Sequence, residues 1–118
     1  MMHTETTVSF AKETYLDLEL AEKENAKLEK EITYNEHILK ECNSTSEWLS
    51  DEFRKKVHID IEVDGVMQDV LLDEAITILT EKVDSLRKEL TYNKRRQKLL
   101  TGLFAELTKV FPDVVNEL

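Results

Sequence analysis

Residues 57–72 read VHIDIEVDGVMQDVLL, and their apolar residues up to Val63 follow the two-residue period of a β-strand. Apolar residues alternate with polar ones up to Asp64-Gly65, and a second apolar run follows that dipeptide. Asp-Gly between β-branched runs predicts a two-residue hairpin turn, because a type I′ turn needs positive φ at both central residues. The predicted register consists of three pairs: Val63 with Val66, Ile61 with Gln68, and Ile59 with Val70.

This register leaves one largely apolar face on the hairpin. An isolated two-stranded hairpin is marginal in water, so we expect that face to pack on the helical arms or on another subunit.

The sequence on both sides of the hairpin has the period of a coiled coil. Apolar or small residues recur every three or four positions, and Glu and Lys fill the positions between them. We predict a first helical arm over 9–56, the β-hairpin over 57–72, a second arm over 73–111, ended by Phe111-Pro112, and a tail over 112–118. The predicted fold class is mostly α, an antiparallel helical coiled-coil hairpin with a short β-hairpin at the bend, in one domain of residues 1–118.

The apolar positions of the two heptad seams are the candidate partner-binding residues, because a small helical hairpin buries only a modest core alone. Additional apolar residues at Ile78, Leu99, Leu103 and Val110 widen the second stripe and indicate more than one neighbouring helix. One possible register sets Asn35 opposite Gln97, and a buried amide pair can fix register. The candidate residues are Leu18, Leu28, Ile32, Leu39, Leu49, Phe53, Ile76, Leu79, Val83, Leu86, Leu90, Leu100, Leu103, Phe104, Leu107 and Phe111.

Composition argues against several function classes. The 118 residues include only two glycines and one proline, too few for the loops on which most enzyme folds depend. The net charge of −9 opposes direct binding to nucleic acid or to an anionic membrane. The sequence contains no run of ~18 apolar residues, which a membrane span would need. Its one cysteine fits a reducing, intracellular compartment. We expect a homo- or hetero-oligomeric protein that is not an enzyme.

Few residue groups suggest site chemistry, and we predict no catalytic residue, cofactor or metal. Asp60, Glu62, Asp64 and Gly65 are similar to the opening of a calcium-binding EF-hand loop, but Leu71 stands where a bidentate Glu is needed. An ordinary hairpin with a solvated acidic face is therefore favoured over a calcium site.

Three further features each have two interpretations. Cys42 occupies a seam position typical of a small buried hydrophobe rather than a nucleophile. The basic residues of 94–98 are either a solvated face that balances the acidic first arm or a site for an acidic partner. Trp48 is either core near the bend or an anchor for a partner.

Two stretches resemble the centromere protein K family. They are Leu16–Glu31, which reads LDLELAEKENAKLEKE, and Lys98–Pro112, which reads KLLTGLFAELTKVFP and closes with Phe-Pro. This resemblance implies a non-enzymatic inner-kinetochore subunit in the nucleus, with long helices that wind with a partner coiled-coil chain, centromere protein H.

The overall plan also resembles the beta-type prefoldin subunits, which have a similar length, two helical arms and one hairpin. That resemblance implies a chaperone subunit, outside the nucleus in the cytoplasm, whose hairpin joins other hairpins in a β-barrel platform. Its arm tips would bind unfolded chains, and Leu103, Phe104 and Phe111 would give this chain an apolar arm tip.

Overall fold

The computed structural model describes residues 5–118. The predicted fold class is confirmed, because the chain is mostly helical, its two long helices pack against each other, and an antiparallel β-hairpin lies between them in sequence. The elements are α1 (Glu5–Trp48), α2 (Asp51–Arg54), β1 (His58–Val63), β2 (Val66–Leu71), α3 (Leu72–Val110) and α4 (Pro112–Asn116).

The hairpin has the predicted register. Val63 faces Val66, Ile61 faces Gln68 and Ile59 faces Val70 across the two strands. Asp64 has φ 50° and Gly65 has φ 81°, so both central residues of the turn have the positive φ that the Asp-Gly dipeptide predicts.

The first arm ends earlier than predicted. Helix α1 ends at Trp48, and the backbone of Ser50 is extended. The Ser50 side chain accepts a hydrogen bond from the Phe53 amide and so caps the start of the short helix α2. Arg54 then donates from Nη2 to the carbonyl oxygen of Ser46 at 2.7 Å. The helix is interrupted here because the Ser50 and Arg54 side chains form hydrogen bonds with backbone groups that a continuous helix would have paired with each other.

The second arm agrees more closely with its predicted bounds. Helix α3 begins at Leu72, directly after β2, and the Leu72 amide donates to the carbonyl oxygen of Val57 at 2.9 Å. It ends at Val110, before the Phe111-Pro112 pair predicted to stop it. Residues 112–116, predicted as part of a tail, instead form helix α4, whose Val114 is buried against Ala11 and Leu107.

Contacts within the chain divide it into two compact units, which are described separately. One contains Lys30–Lys88, and the other contains Met1–Glu29 with Glu89–Leu118, of which residues 1–4 lie outside the described part.

In the unit of Lys30–Lys88, the hairpin packs on its own helices. Ile61 is 2% exposed and lies in a core with Cys42 from α1 and with Leu72, Ala75 and Leu79 from α3. Ile59, Ile61, Val63 and Val70 of the apolar hairpin face therefore pack within this unit, which is one of the two outcomes expected from the sequence, whereas Val66 beside the turn is exposed.

In the other unit, early residues of α1 meet late residues of α3, so the helices run antiparallel. Ala11 packs with Leu107, and the Tyr15 and Phe104 ring centroids lie 5.7 Å apart. Glu29 forms an ion pair with Lys94 at 3.3 Å.

A buried amide pair exists in this unit, but it differs from the predicted one. Asn25 donates from Nδ2 to Oε1 of Gln97, whereas Asn35, in the other unit, donates to the backbone carbonyl of Glu31 in its own helix. The predicted pairing of Asn35 with Gln97 placed the fold-back at Asp64-Gly65. In the structure, α1 ends at Trp48 and α3 begins at Leu72, so the segment that joins the two helices is centred at Asp60. This centre lies earlier in the sequence than Asp64-Gly65, and Gln97 therefore faces an earlier residue of α1.

Replacing Gly65 tests the turn. Gly65→Val forces a β-branched residue to positive φ and should lower the free energy of unfolding by about 1–3 kcal/mol. Gly65→Asn is the matched control, because Asn adopts the left-handed region more readily and should lose less. Thermal unfolding followed by circular dichroism measures both, and equal stabilities for the two variants would contradict the turn.

Replacing the amide pair tests the α1–α3 contact. Asn25 is 5% exposed and its Oδ1 has no hydrogen-bond partner among the described residues. The double variant Asn25→Leu, Gln97→Leu removes this unpaired acceptor and should raise the free energy of unfolding by about 1 kcal/mol in denaturant titration.

Asn35→Leu is the control for this test, because Asn35 is equally buried but its side chain has no unpaired buried atom. Asn35→Leu should change the free energy of unfolding less than the double variant does. A double variant that is less stable than the wild type would argue against the contact between Asn25 and Gln97.

Candidate partner-binding surface

Most of the predicted partner-binding residues are covered by the chain itself. Those that are buried are Leu28, Ile32, Leu79, Val83, Leu86 and Leu107. Those that are partly covered are Leu18, Leu39, Leu49, Ile76, Leu90, Leu100, Leu103, Phe104 and Phe111. Phe53 is the member of the set that is exposed, at 59%. A role for these residues in binding a partner stays a prediction, since their packing within the chain leaves little apolar surface at the seam.

A second apolar stripe lies on α3 and is open to solvent. Tyr92 is 68% exposed, Leu99 73% and Val110 59%, while Leu103 is partly covered. With Arg96 and Glu106, these residues follow each other at steps of four, three, four, three and four along the helix. We call this set the outer stripe: Tyr92, Arg96, Leu99, Leu103, Glu106 and Val110. Its spacing is that of a coiled-coil seam, so α3 carries one seam covered by α1 and another that is uncovered.

Part of this surface was predicted from the sequence. Leu99, Leu103 and Val110 stood out as apolar residues in excess of one seam, which predicted a further neighbouring helix. Tyr92, Arg96 and Glu106 were missed, although their alternating three- and four-residue spacing was readable from the sequence.

Basic side chains border the outer stripe. Arg95 and Lys98 line a shallow hollow on α3 together with Leu99, Gly102, Leu103 and Glu106. Within residues 5–118, Arg95, Arg96 and Lys98 form no ion pair, whereas Lys94 pairs with Glu29 of α1. Among residues 5–118, Lys94 is therefore the member of the basic cluster that pairs with the acidic first arm, and Arg95, Arg96 and Lys98 are available to an outside acid.

A groove in the unit of Lys30–Lys88 is a weaker candidate. Leu39 of α1 and Val83 of α3 are among its lining residues, and charged side chains border it. Arg87 donates from Nη2 to Glu36, and His37 lies 3.1 Å from Glu41, so much of the charge at this groove is already paired within the chain.

The end of α1 exposes an aromatic residue. Trp48 is 74% exposed and does not belong to the core described above, so the interpretation of Trp48 as core near the bend is wrong. At the hairpin turn, Val66 and Met67 are also exposed. These side chains add apolar surface to the same unit as the groove.

Cys42 is a buried thiol. It is 5% exposed, and burial raises the pKa of its side chain, with a further rise caused by the negative charge of Glu41. A raised pKa means less thiolate at a given pH, and the thiolate is the nucleophile, so this environment suits a core residue rather than a catalytic one.

Asp60 faces Asp69 across the hairpin, but the acidic residues of the hairpin form no larger metal-holding group among the described residues. Asp60 and Glu62 lie on β1 and Asp64 lies in the turn, while His58 Nδ1 is 3.0 Å from Asp69 Oδ1. Residues 5–118 contain no group of three or more His, Cys, Asp or Glu side chains placed to hold a metal ion. The three histidines are too widely separated in sequence to predict a zinc site, and His3 lies outside the described residues.

Among the same described residues, no helix is long and apolar enough to cross a membrane. Comparisons with protein-family models, with curated proteins and with solved structures found no match for this chain.

The reactivity of Cys42 tests the packing of α1 on the hairpin. We expect Ellman's reagent to label Cys42 slowly in the folded protein and rapidly in denaturant, because burial and a raised pKa both suppress thiolate attack. Cys42→Ala, Ser44→Cys is the control, since Ser44 is exposed on the same helix and its replacement should react rapidly. Equal native rates for the two thiols would contradict the burial of Cys42.

Proposed function

We propose that this chain is a non-enzymatic coiled-coil assembly subunit that binds protein partners through helical faces. One observation carries the proposal: the outer stripe stays exposed on α3 after the inner seam has been covered by α1. Fully burying a leucine or valine side chain is worth about 1.5–3 kcal/mol, so leaving Leu99 and Val110 in water is costly unless another molecule covers them.

Helix-in-groove and coiled-coil contacts suit this surface. The outer stripe spans 19 residues of α3, a length of about 28 Å at the rise of an α-helix. Apolar anchors at intervals of three and four residues are the pattern by which one helix recognises another. The proposal includes no enzymatic step, because two glycines and one proline are too few for the loops on which most enzyme folds depend.

The more specific form of the proposal is an inner-kinetochore subunit. The resemblance of Leu16–Glu31 and Lys98–Pro112 to the centromere protein K family supports it, and the second stretch contains most of the outer stripe. In this form the chain is nuclear, contacts no nucleic acid directly, and winds with a coiled-coil chain such as centromere protein H.

A prefoldin-like chaperone subunit, located in the cytoplasm, is the second candidate. The order of helix, β-hairpin and helix favours it, as does exposed apolar surface at Phe10 of α1 and Val110 of α3. In this form the same apolar residues would contact unfolded clients rather than one folded partner.

Two adjacent leucines of α3 provide the decisive variants. Leu99→Asp places a charge on the exposed outer stripe and should change the stability of the chain by less than about 0.5 kcal/mol while abolishing partner binding. Leu100→Asp places the same charge in the inner seam, where Leu100 is partly covered, and should lower thermal stability markedly.

The readouts are thermal unfolding, co-purification of a coiled-coil chain from the source cells, and concentration of the tagged protein at centromeres. If the Leu99→Asp chain folds and still keeps its partners and its location, the proposed function is wrong. Suppression of the aggregation of an unfolded client by the wild type, lost in Leu99→Asp, would select the chaperone alternative.

A further inference from the structure

The outer stripe is complementary to itself when it is reversed. Counted from Thr101 in both directions, Leu99 matches Leu103, Arg96 matches Glu106, and Tyr92 matches Val110. We propose that a second copy of this chain docks on the first through the outer stripe, with the two α3 helices antiparallel and a two-fold axis that passes between them at the level of Thr101. This proposal rests on the proposed function and names the occupant of its exposed surface.

Geometry supports the pairing. The stripe consists of two interleaved sets with a period of seven, one with Tyr92, Leu99 and Glu106 and the other with Arg96, Leu103 and Val110. In an antiparallel coiled coil, residues of one set face residues of the other set on the partner helix. Reversal about Thr101 places every member of the first set opposite a member of the second, so the apolar layers of the two helices coincide.

Charge complementarity supports a second copy as the occupant. Arg96 and Glu106 are both exposed, and neither forms an ion pair among the described residues. In the antiparallel dimer each Arg96 faces Glu106 of the other copy, and the two-fold axis produces this pair twice. A parallel, in-register pair would place Arg96 against Arg96 and Glu106 against Glu106, so like-charge repulsion opposes it.

Gly102 is an independent observation that points to the same place. It lies in the interior of α3, where glycine lowers helix stability by roughly 1 kcal/mol relative to alanine. Apart from its chain neighbours and the adjacent backbone of its own helix, no heavy atom lies within 4 Å of the position that its Cβ would occupy, so the contacts within the described chain do not require glycine here. Gly102 is adjacent to the proposed axis and lines the hollow beside Leu99 and Leu103, where a missing side chain permits two helices to approach closely.

Charge reversal tests the pairing with the full chain. Arg96→Glu alone and Glu106→Arg alone each convert both ion pairs into repulsive contacts, and each should raise the dimer dissociation constant by about tenfold or more. An equimolar mixture of these two variants should form a heterodimer, because every charge then faces its opposite. The double variant Arg96→Glu, Glu106→Arg should dimerise like the wild type.

Sedimentation equilibrium from micromolar to near-millimolar protein measures these constants, and circular dichroism checks that each variant is folded. A wild type that is monomeric over this range overturns the proposal. A double variant that stays as weak as the single variants also overturns it, since the charges would then be unpaired in the dimer.

Disulfide cross-linking tests the register in a Cys42→Ala background. The Leu99→Cys chain mixed with the Leu103→Cys chain should form a mixed disulfide under mild oxidation, because these two positions face each other across the proposed axis. A predominance of Leu99→Cys chains linked to each other would indicate parallel pairing and overturn the proposed arrangement.

The two proposals fail in different ways. If the wild type is monomeric and yet Leu99→Asp loses its partner and its centromere location, the outer stripe binds a different chain and only the second-copy inference is wrong. If Leu99→Asp keeps both, the proposed function itself is wrong, whatever the oligomeric state.

Discussion

The burial of one helical seam by another is the interaction on which the other features of this chain depend. In the unit of Lys30–Lys88, Leu79 of α3 packs with Cys42 of α1, and Ile61 of the hairpin completes the core. In the other unit, Leu107 packs with Ala11, and α4 adds Val114 to them. Because these contacts use the inner seam, the proposed partner surface is the outer stripe of α3, where apolar residues are exposed at regular spacing.

The parts of the fold that local rules govern were predictable. Asp64-Gly65 determines the turn, the turn determines the register, and all three predicted cross-strand pairs are present. The end of α1 was not predictable from periodicity, because it depends on the side chain of Arg54, beyond the helix, which donates to the carbonyl oxygen of Ser46 eight residues earlier. That early end shifts the reversal of the helices, and so Gln97 meets Asn25 rather than Asn35. Helix α4 was missed because its stability depends on burying Val114 against distant residues.

The candidate surface was predictable only in part, for a physical reason. Periodicity identifies an apolar stripe but does not say whether the chain or another molecule covers it. The sequence therefore assigned Leu28 and Leu86 to a partner, although both are buried within the chain, while the uncovered stripe was recognised only through its surplus leucines. The charged members, Arg96 and Glu106, escaped notice because a search for apolar residues treats charges as solvent-facing.

Those charges give the outer stripe its specificity. When a helix has two seams, a helix from another molecule could bind the inner seam and displace α1. Polar residues at seam positions are a common means of preventing such mispairing. The inner seam contains the Asn25–Gln97 amide pair, whereas the outer stripe contains Arg96 and Glu106. If the outer stripe turned inward onto α1, it would bring Arg96 and Glu106 toward the buried seam, at a desolvation cost. The same residues that make the outer stripe a poor match for α1 make it a good match for its own reversed copy.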